Sequence, residues 1–226
     1  MKLRRALLVC GVLSSLVYVG IDQLAAIRQP EYHSFMAQTI SELGARGAPT
    51  KSMVDPLFIV YDLLTIAFGI GVWSAARGSR ALRVSGAMWI ALGVGGLPGP
   101  WLFPMNLRGV GGDAPHIIAT GGMVLFIVVG IVAGAIARGR AFRFYSLATV
   151  LATLVFGLLT SVQAKGLVTG EPTPWIGLTE RACIGASLLW VAVLALALLR
   201  GERTATTKST GVRERVTRAR TASAPA

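Results

Sequence analysis

Charged residues and cysteines are scarce in this sequence of 226 residues. Charged side chains make up 14% of it, Asp and Glu together number 10, and 54% of the residues are hydrophobic. Soluble domains usually carry about 25% charged residues, so the composition excludes an ordinary soluble domain. The two cysteines, Cys10 and Cys183, are too few for a disulfide framework. We interpret both as packing residues of an integral membrane protein.

Long apolar segments dominate the chain. Segments of roughly the length needed to cross a ~30 Å hydrocarbon core as helices lie at about 6–26, 57–76, 84–103, 116–137, 144–163 and 182–199. They are continuously apolar rather than alternating, which favours helices over barrel strands. The sequence therefore predicts an all-α membrane protein with a six-transmembrane-helix bundle over residues 1–200. The first segment resembles a signal peptide, but its length and Asp22 favour a retained span.

The basic residues are grouped between the apolar segments. One group lies before the first span at Lys2–Arg5, and two others lie at Arg77–Arg83 and Arg138–Arg143. The positive-inside rule then places both termini in the cytoplasm of a multi-pass cell-membrane protein. Residues 201–226 read as a basic, disordered cytoplasmic tail that contacts anionic lipids. The basic residues that give the net charge of +12 lie between the apolar segments and in the tail, and we therefore expect no nucleic-acid partner.

Ionisable side chains inside the predicted spans are confined to the outer third. Such groups are costly in a bilayer and indicate function by default. We predict an outward-facing polar vestibule with these candidate binding residues: Asp22, Ser41, Glu42, Asp62, Arg108, His116, Glu180 and Arg181. The alternative is that each residue only caps a helix or reaches the interface, as Asp113 could at the start of the fourth span.

The first outer loop carries the pattern SFMAQTISELG at 34–44. Its apolar residues fall on one helical face, and Gly44 stands where a C-cap glycine would. The pattern predicts a short interfacial helix that either covers the vestibule or braces the loop.

The third span ends in the stretch ALGVGGLPGPWLFP. Gly95 and Gly99 have the spacing of a GxxxG contact, which predicts a close helix approach. Pro98 and Pro100 interrupt helical hydrogen bonding, so we expect the span to end early, toward the vestibule.

Three stretches together resemble a family of bacterial membrane proteins catalogued as domain of unknown function 998. They are HSFMAQTISELGARGAP (33–49), LFPMNLRG (102–109) leading to PHIIATGG (115–122), and IGLTERACIG (176–185). The resemblance implies a six-span layout. It also implies that polar family positions fall on Ser41, Glu42, Arg108, His116, Glu180 and Arg181. The family name itself assigns no reaction.

Three functions stay open at this point. The favoured one is binding of a small molecule or lipid headgroup in the vestibule. The second is an intramembrane lipid hydrolase, metal-assisted or using a general base, although no HExxH or GxSxG motif is present. The third is a structural or accessory subunit. The sequence does not decide whether the protein is an enzyme, indicates no metal or cofactor, and leaves homo-oligomerisation open.

Overall fold

A computed structural model of the protein describes residues 2–29 and 31–222, with side chains as far as Gly201. Within these ranges the chain is helical and contains no strand. The helices are α1 (Lys2–Arg28), α2 (Ile40–Leu43), α3 (Lys51–Ala75), α4 (Arg80–Gly96), α5 (Gly99–Leu102), α6 (Ala114–Ile136), α7 (Arg140–Thr169) and α8 (Ile176–Ala222).

The six long helices pack in a closed ring, in the order α1, α3, α4, α6, α7 and α8, with α8 back against α1. Large buried side chains fill the centre of the ring. Trp190 of α8 stacks on Trp89 of α4, with ring centroids 5.8 Å apart, and Phe68 of α3 meets Trp89 edge-on. Leu8 of α1 and Ile131 of α6 are fully buried in the same cluster. Five helices are thus joined through one apolar core.

Helices α3 and α4 approach closely at two levels. A Cβ built on Gly86 would lie 2.8 Å from the carbonyl oxygen of Gly69, and one on Gly93 would lie 2.6 Å from the carbonyl oxygen of Asp62. The predicted contact through Gly95 and Gly99 is wrong, because no atom of another described helix lies within 4 Å of a Cβ on either. Two residues turn a helix by about 200°, so Gly95 faces away from the α3 side that Gly93 contacts.

Helix α4 ends at Gly96, as the proline pattern predicts. Pro98 follows two residues later and lacks an N–H, and the chain continues into the single turn α5. With 17 residues, α4 is about 25 Å long at 1.5 Å per residue. It is therefore shorter than the predicted span 84–103.

The outer surface of the ring is apolar. On α7, four leucines on one face are each at least 49% exposed: Leu147, Leu151, Leu154 and Leu158. Among the described residues, five helices are long and apolar enough to cross a membrane: α1, α3, α6, α7 and the Ile176–Gly201 part of α8. The predicted tail, 201–226, overlaps the end of α8, which continues to Ala222, and its disorder stays a prediction.

The two ends of the ring differ chemically. The basic end comprises the start of α1 and the turns at 76–79 and 137–139, with their flanking arginines. The capped end comprises the longer loops at 31–50, 97–113 and 170–175. All the sequence-predicted site residues except Asp62 lie at or beside the capped end, whereas Asp62 lies near the middle of α3.

Candidate functional site

The cap segment, residues 31–50, crosses the capped end between α1 and α3. Its helix α2 is one turn long and begins with a capping box. Thr39 Oγ1 accepts from the Glu42 N–H at 3.1 Å, and Glu42 Oε2 accepts from the Thr39 N–H at 2.6 Å. Helix is therefore limited to Ile40–Leu43, which is shorter than the predicted helix over 34–44.

Arg181 of α8 binds both α1 and the cap segment. Its guanidinium forms a two-point ion pair with Asp22, Nη2 to Oδ1 at 2.7 Å and Nε to Oδ2 at 3.0 Å. Nη1 donates to the carbonyls of Phe35 at 2.8 Å and Gln38 at 2.9 Å. These two carbonyls are directed at the arginine, which explains why residues 35–38 do not continue α2 as a helix. Tyr32 also accepts a hydrogen bond from Nη2.

Glu180, the neighbour of Arg181, caps α2 from outside. Its carboxylate accepts a hydrogen bond from the Ile40 N–H and one from the Ser41 hydroxyl at 2.8 Å. Ile40 is the first residue of α2, where N–H groups lack partners within the helix and a negative charge is favoured. Glu180 therefore stabilises the start of α2 rather than the start of its own helix.

Arg108 holds the other side of the cap segment. Its Nε and Nη2 donate to the two carboxylate oxygens of Glu42 at 3.0 and 3.1 Å. Nη2 also donates to the Ala37 carbonyl at 3.0 Å, and Nη1 donates to Thr173 Oγ1 at 2.7 Å. One guanidinium thus connects all three loops of the capped end. Two-point pairs of this kind fix geometry as well as charge.

The loop before α6 is closed by its own hydrogen bonds. The Asp113 carboxylate accepts from the Asn106 N–H at 2.7 Å and makes no side-chain cap on α6. Gly109, Gly111 and Gly112 have φ values of +82°, +78° and +82°, which glycine adopts without strain. His116 Nδ1 lies 2.8 Å from the Phe103 carbonyl. His116 therefore contacts its own loop rather than the two arginines.

Asp62 is buried without a partner. It is 5% exposed, and no described residue donates a hydrogen bond to its carboxylate. The carboxylate packs on Gly96, the last residue of α4, where a Cβ would lie 2.6 Å from Asp62 Cγ. Tyr18 of α1 lies within electrostatic reach of Asp62, and also of Asp22 and Glu180. Asp62 therefore lies beneath the capped end, close to its charges but outside its hydrogen bonds.

Tyr32 links the cap segment to Arg181 and is 8% exposed. Its hydroxyl donates to the Gln38 carbonyl at 2.7 Å. Burial raises the pKa of Tyr32 to about 12, and the hydrogen bond from Arg181 opposes part of that rise. The neutral hydroxyl is therefore the form that the cap segment requires.

The structure joins most of the predicted site residues through one set of contacts. Those joined through the cap segment are Asp22, Ser41, Glu42, Arg108, Glu180 and Arg181. Asp62 and His116 are not hydrogen-bonded to them. Thr39 was not among the predicted site residues, although Thr39 and Glu42 have the T-x-x-E spacing of a capping box. Gly96 was not among them either, and the sequence offers no specific signal for it.

In the described part of the chain, no three His, Cys, Asp or Glu side chains are grouped so that they could hold a metal ion. The carboxylates of Asp22 and Glu42 are already bound to arginines. A metal-assisted hydrolase therefore receives no support from this geometry.

Closed packing of long apolar helices with an apolar outer surface defines a multi-pass helical membrane protein. The family model described as "Protein of unknown function (DUF998)" matches residues 12–197, and the chain belongs to this family. Neither a curated protein nor a solved structure matches the chain. The family match covers the cap segment, the whole of α3, α4, α6 and α7, and parts of α1 and α8.

Proposed function

We propose that this protein binds a small molecule or a lipid headgroup that presents an ammonium or another hydrogen-bond-donating group to Asp62. The observation that carries the proposal is the buried Asp62 carboxylate, which has no partner among the described residues. A buried carboxylate without a partner is costly, and a bound cation or donor would remove that cost. In a membrane helix, an unpaired ionisable residue points to a binding function.

The surroundings of Asp62 favour a positively charged group over an anion. Gly96 ends α4 beside the carboxylate, and a helix C-terminus carries about half a negative charge. Two sources of negative potential therefore meet at one position. The arginines at the capped end are poor candidates for an anionic ligand, because Arg108 and Arg181 already bind Glu42 and Asp22.

Access to Asp62 follows from the early end of α4. Past Gly96 the chain turns at Leu97 and Pro98 into the short α5. Helix α4 therefore does not continue alongside α3 from the level of Asp62 to the capped end. Asp62 is 11 residues beyond Lys51, the first residue of α3, or about 16 Å along the helix. The cap segment crosses above it and would limit access from the membrane surface.

The proposal includes the orientation and the span count. We place the capped end outside the cell membrane and both termini inside, because the basic residues beside the turns lie at the other end. We also count α4 as a sixth span. It packs in the ring between α3 and α6 like the other long helices, and the turn with α5 supplies the remaining depth.

The test compares Asp62→Asn with Asp55→Asn, which makes the same chemical change on α3. Asp55 is ion-paired with Lys51 at 3.0 Å, so it serves as a matched control. Small molecules and lipids that co-purify with each variant and the wild type are quantified by mass spectrometry. We expect at least one amine-bearing compound to be retained by the wild type and Asp55→Asn and depleted about tenfold or more by Asp62→Asn.

Equal retention of every compound by the three proteins would refute the binding role of Asp62. If Asp62→Asn also left the cellular function of the protein intact, a structural or accessory role would be the better description. Thermal unfolding of each variant in the same detergent checks that a loss of compound is not a loss of fold.

A further inference from the structure

The basic end carries a cavity that does not involve Asp62. An apolar cavity opens between α6 and α7 just inside the turn at 137–139, and its lining includes Val132, Ala135, Ile136, Leu147, Val150 and Arg143. Several of these residues also face outward from the ring, with Ile136 60% exposed and Leu147 58% exposed. The cavity is therefore a groove on the lipid-facing side of the bundle.

Arg143 provides a positive charge at the mouth of this groove. Its nearest acceptors are the carbonyls of Ala135 and Ile136, both at 3.4 Å, which is long for a hydrogen bond. No Asp or Glu lies between Asp113 and Glu171 in the sequence, so α6, the turn and α7 offer no counter-charge. Arg108 and Arg181, by contrast, bind carboxylates at 2.7–3.1 Å.

The start of α7 adds to the positive potential. No side chain caps this helix, and its first turn contains no acidic residue. The N–H groups of a helix N-terminus attract anions. Arg138 and Arg140 flank the same turn and stack on the rings of Phe142 and Phe144, each at 5.7 Å. An uncapped helix start and three arginines thus adjoin an apolar groove.

We propose that this groove binds one anionic phospholipid, with an acyl chain between α6 and α7 and the phosphate at Arg143 and the start of α7. The apolar lining fits a hydrocarbon chain, and each nearby basic residue contributes about 1 kcal/mol to binding an anionic headgroup. A second copy of the chain is a poor occupant, because it would bring the same three arginines into contact. The site does not depend on which way the protein faces in the membrane.

The test measures retention of dioleoyl phosphatidylglycerol and dioleoyl phosphatidylcholine by native mass spectrometry of the detergent-purified protein. We expect the wild type to hold one phosphatidylglycerol molecule at concentrations where phosphatidylcholine is not held. Arg143→Gln should weaken phosphatidylglycerol binding about tenfold, the loss expected for a hydrogen bond to a charged group. Arg83→Gln is the matched control, since Arg83 is an exposed arginine of α4 at the same end, and it should bind like the wild type.

Val132→Phe tests the groove without changing any charge. Val132 is 39% exposed at the groove, so a larger side chain can fill the space without displacing the core, and phosphatidylglycerol binding should fall. Equal losses in Arg143→Gln and Arg83→Gln would show a diffuse charge effect and overturn the proposal. Equal retention of the two lipids by the wild type, or unchanged binding in Val132→Phe, would overturn it as well.

Discussion

The Arg181–Asp22 pair offers the sharpest test of how the cap segment is held. Side-chain exposure is 17% for Arg181 and 7% for Asp22, so neither charge is well hydrated. Arg181→Met would remove the two-point pair and leave the Asp22 carboxylate buried and uncompensated. The Phe35 carbonyl would lose this donor as well, and the Gln38 carbonyl would keep the Tyr32 hydroxyl. Breaking one partner of a buried pair costs about 3–5 kcal/mol, and we expect a loss of that size in the free energy of unfolding.

A double-mutant cycle, measured by reversible unfolding in mixed micelles, tests the contribution of this pair. Asp22→Asn added to Arg181→Met removes the uncompensated charge, so the double variant should recover part of the stability. The expected coupling energy is about 1–3 kcal/mol. Arg46→Met is the control, because Arg46 is an exposed arginine of the same segment, and its effect should be small. Additive effects of Asp22→Asn and Arg181→Met would refute the account.

Two further predictions follow from single contacts. Gly96→Ala should weaken retention of the Asp62-dependent compound and destabilise the bundle, because the new Cβ would lie 2.6 Å from Asp62 Cγ. Gly95→Ala is the control, since no atom of another described helix lies within 4 Å of its Cβ, and it should have neither effect. Burial raises the pKa of Tyr32 from 10.0 to about 12 in the folded protein. The unfolded chain therefore loses the Tyr32 proton at lower pH than the folded protein does, and the free energy of unfolding should fall as the pH rises from about 10 to about 12. Unfolding measured across this range should show a smaller fall in Tyr32→Phe, and equal slopes would contradict the assignment.

Much of the fold could be predicted because its causes are local in the sequence. Continuous apolar segments determine where long helices form, and five of them are long and apolar enough to cross a membrane. The early end of α4 also follows from nearby residues, since Pro98 and Pro100 lack N–H groups. The Gly95–Gly99 contact was wrong because spacing does not reveal which side of a helix faces its neighbour. Gly93 and Gly96 make the contacts instead.

The candidate site was harder to predict because its contacts join residues far apart in the chain. Asp22 and Arg181 are separated by 159 positions, and their pairing depends on α8 packing against α1. Glu180 lies in the second turn of its own helix, yet it caps α2. The one local signal that was overlooked is the capping box of Thr39 and Glu42, which explains the start of α2 at Ile40.

Partnered and unpartnered charges divide the molecule into structural and binding positions. Arg108 and Arg181 each lie against a carboxylate, and these pairs stabilise the arrangement of the loops. Asp62 and Arg143 have no such ion-pair partner among the described residues. Asp62 packs on the C-terminus of α4, and Arg143 reaches only the last carbonyls of α6, at 3.4 Å, so no described side chain of opposite charge pairs with either. Both proposed sites therefore lie where the described residues supply no ion-pair partner, and a bound ligand of opposite charge would supply one.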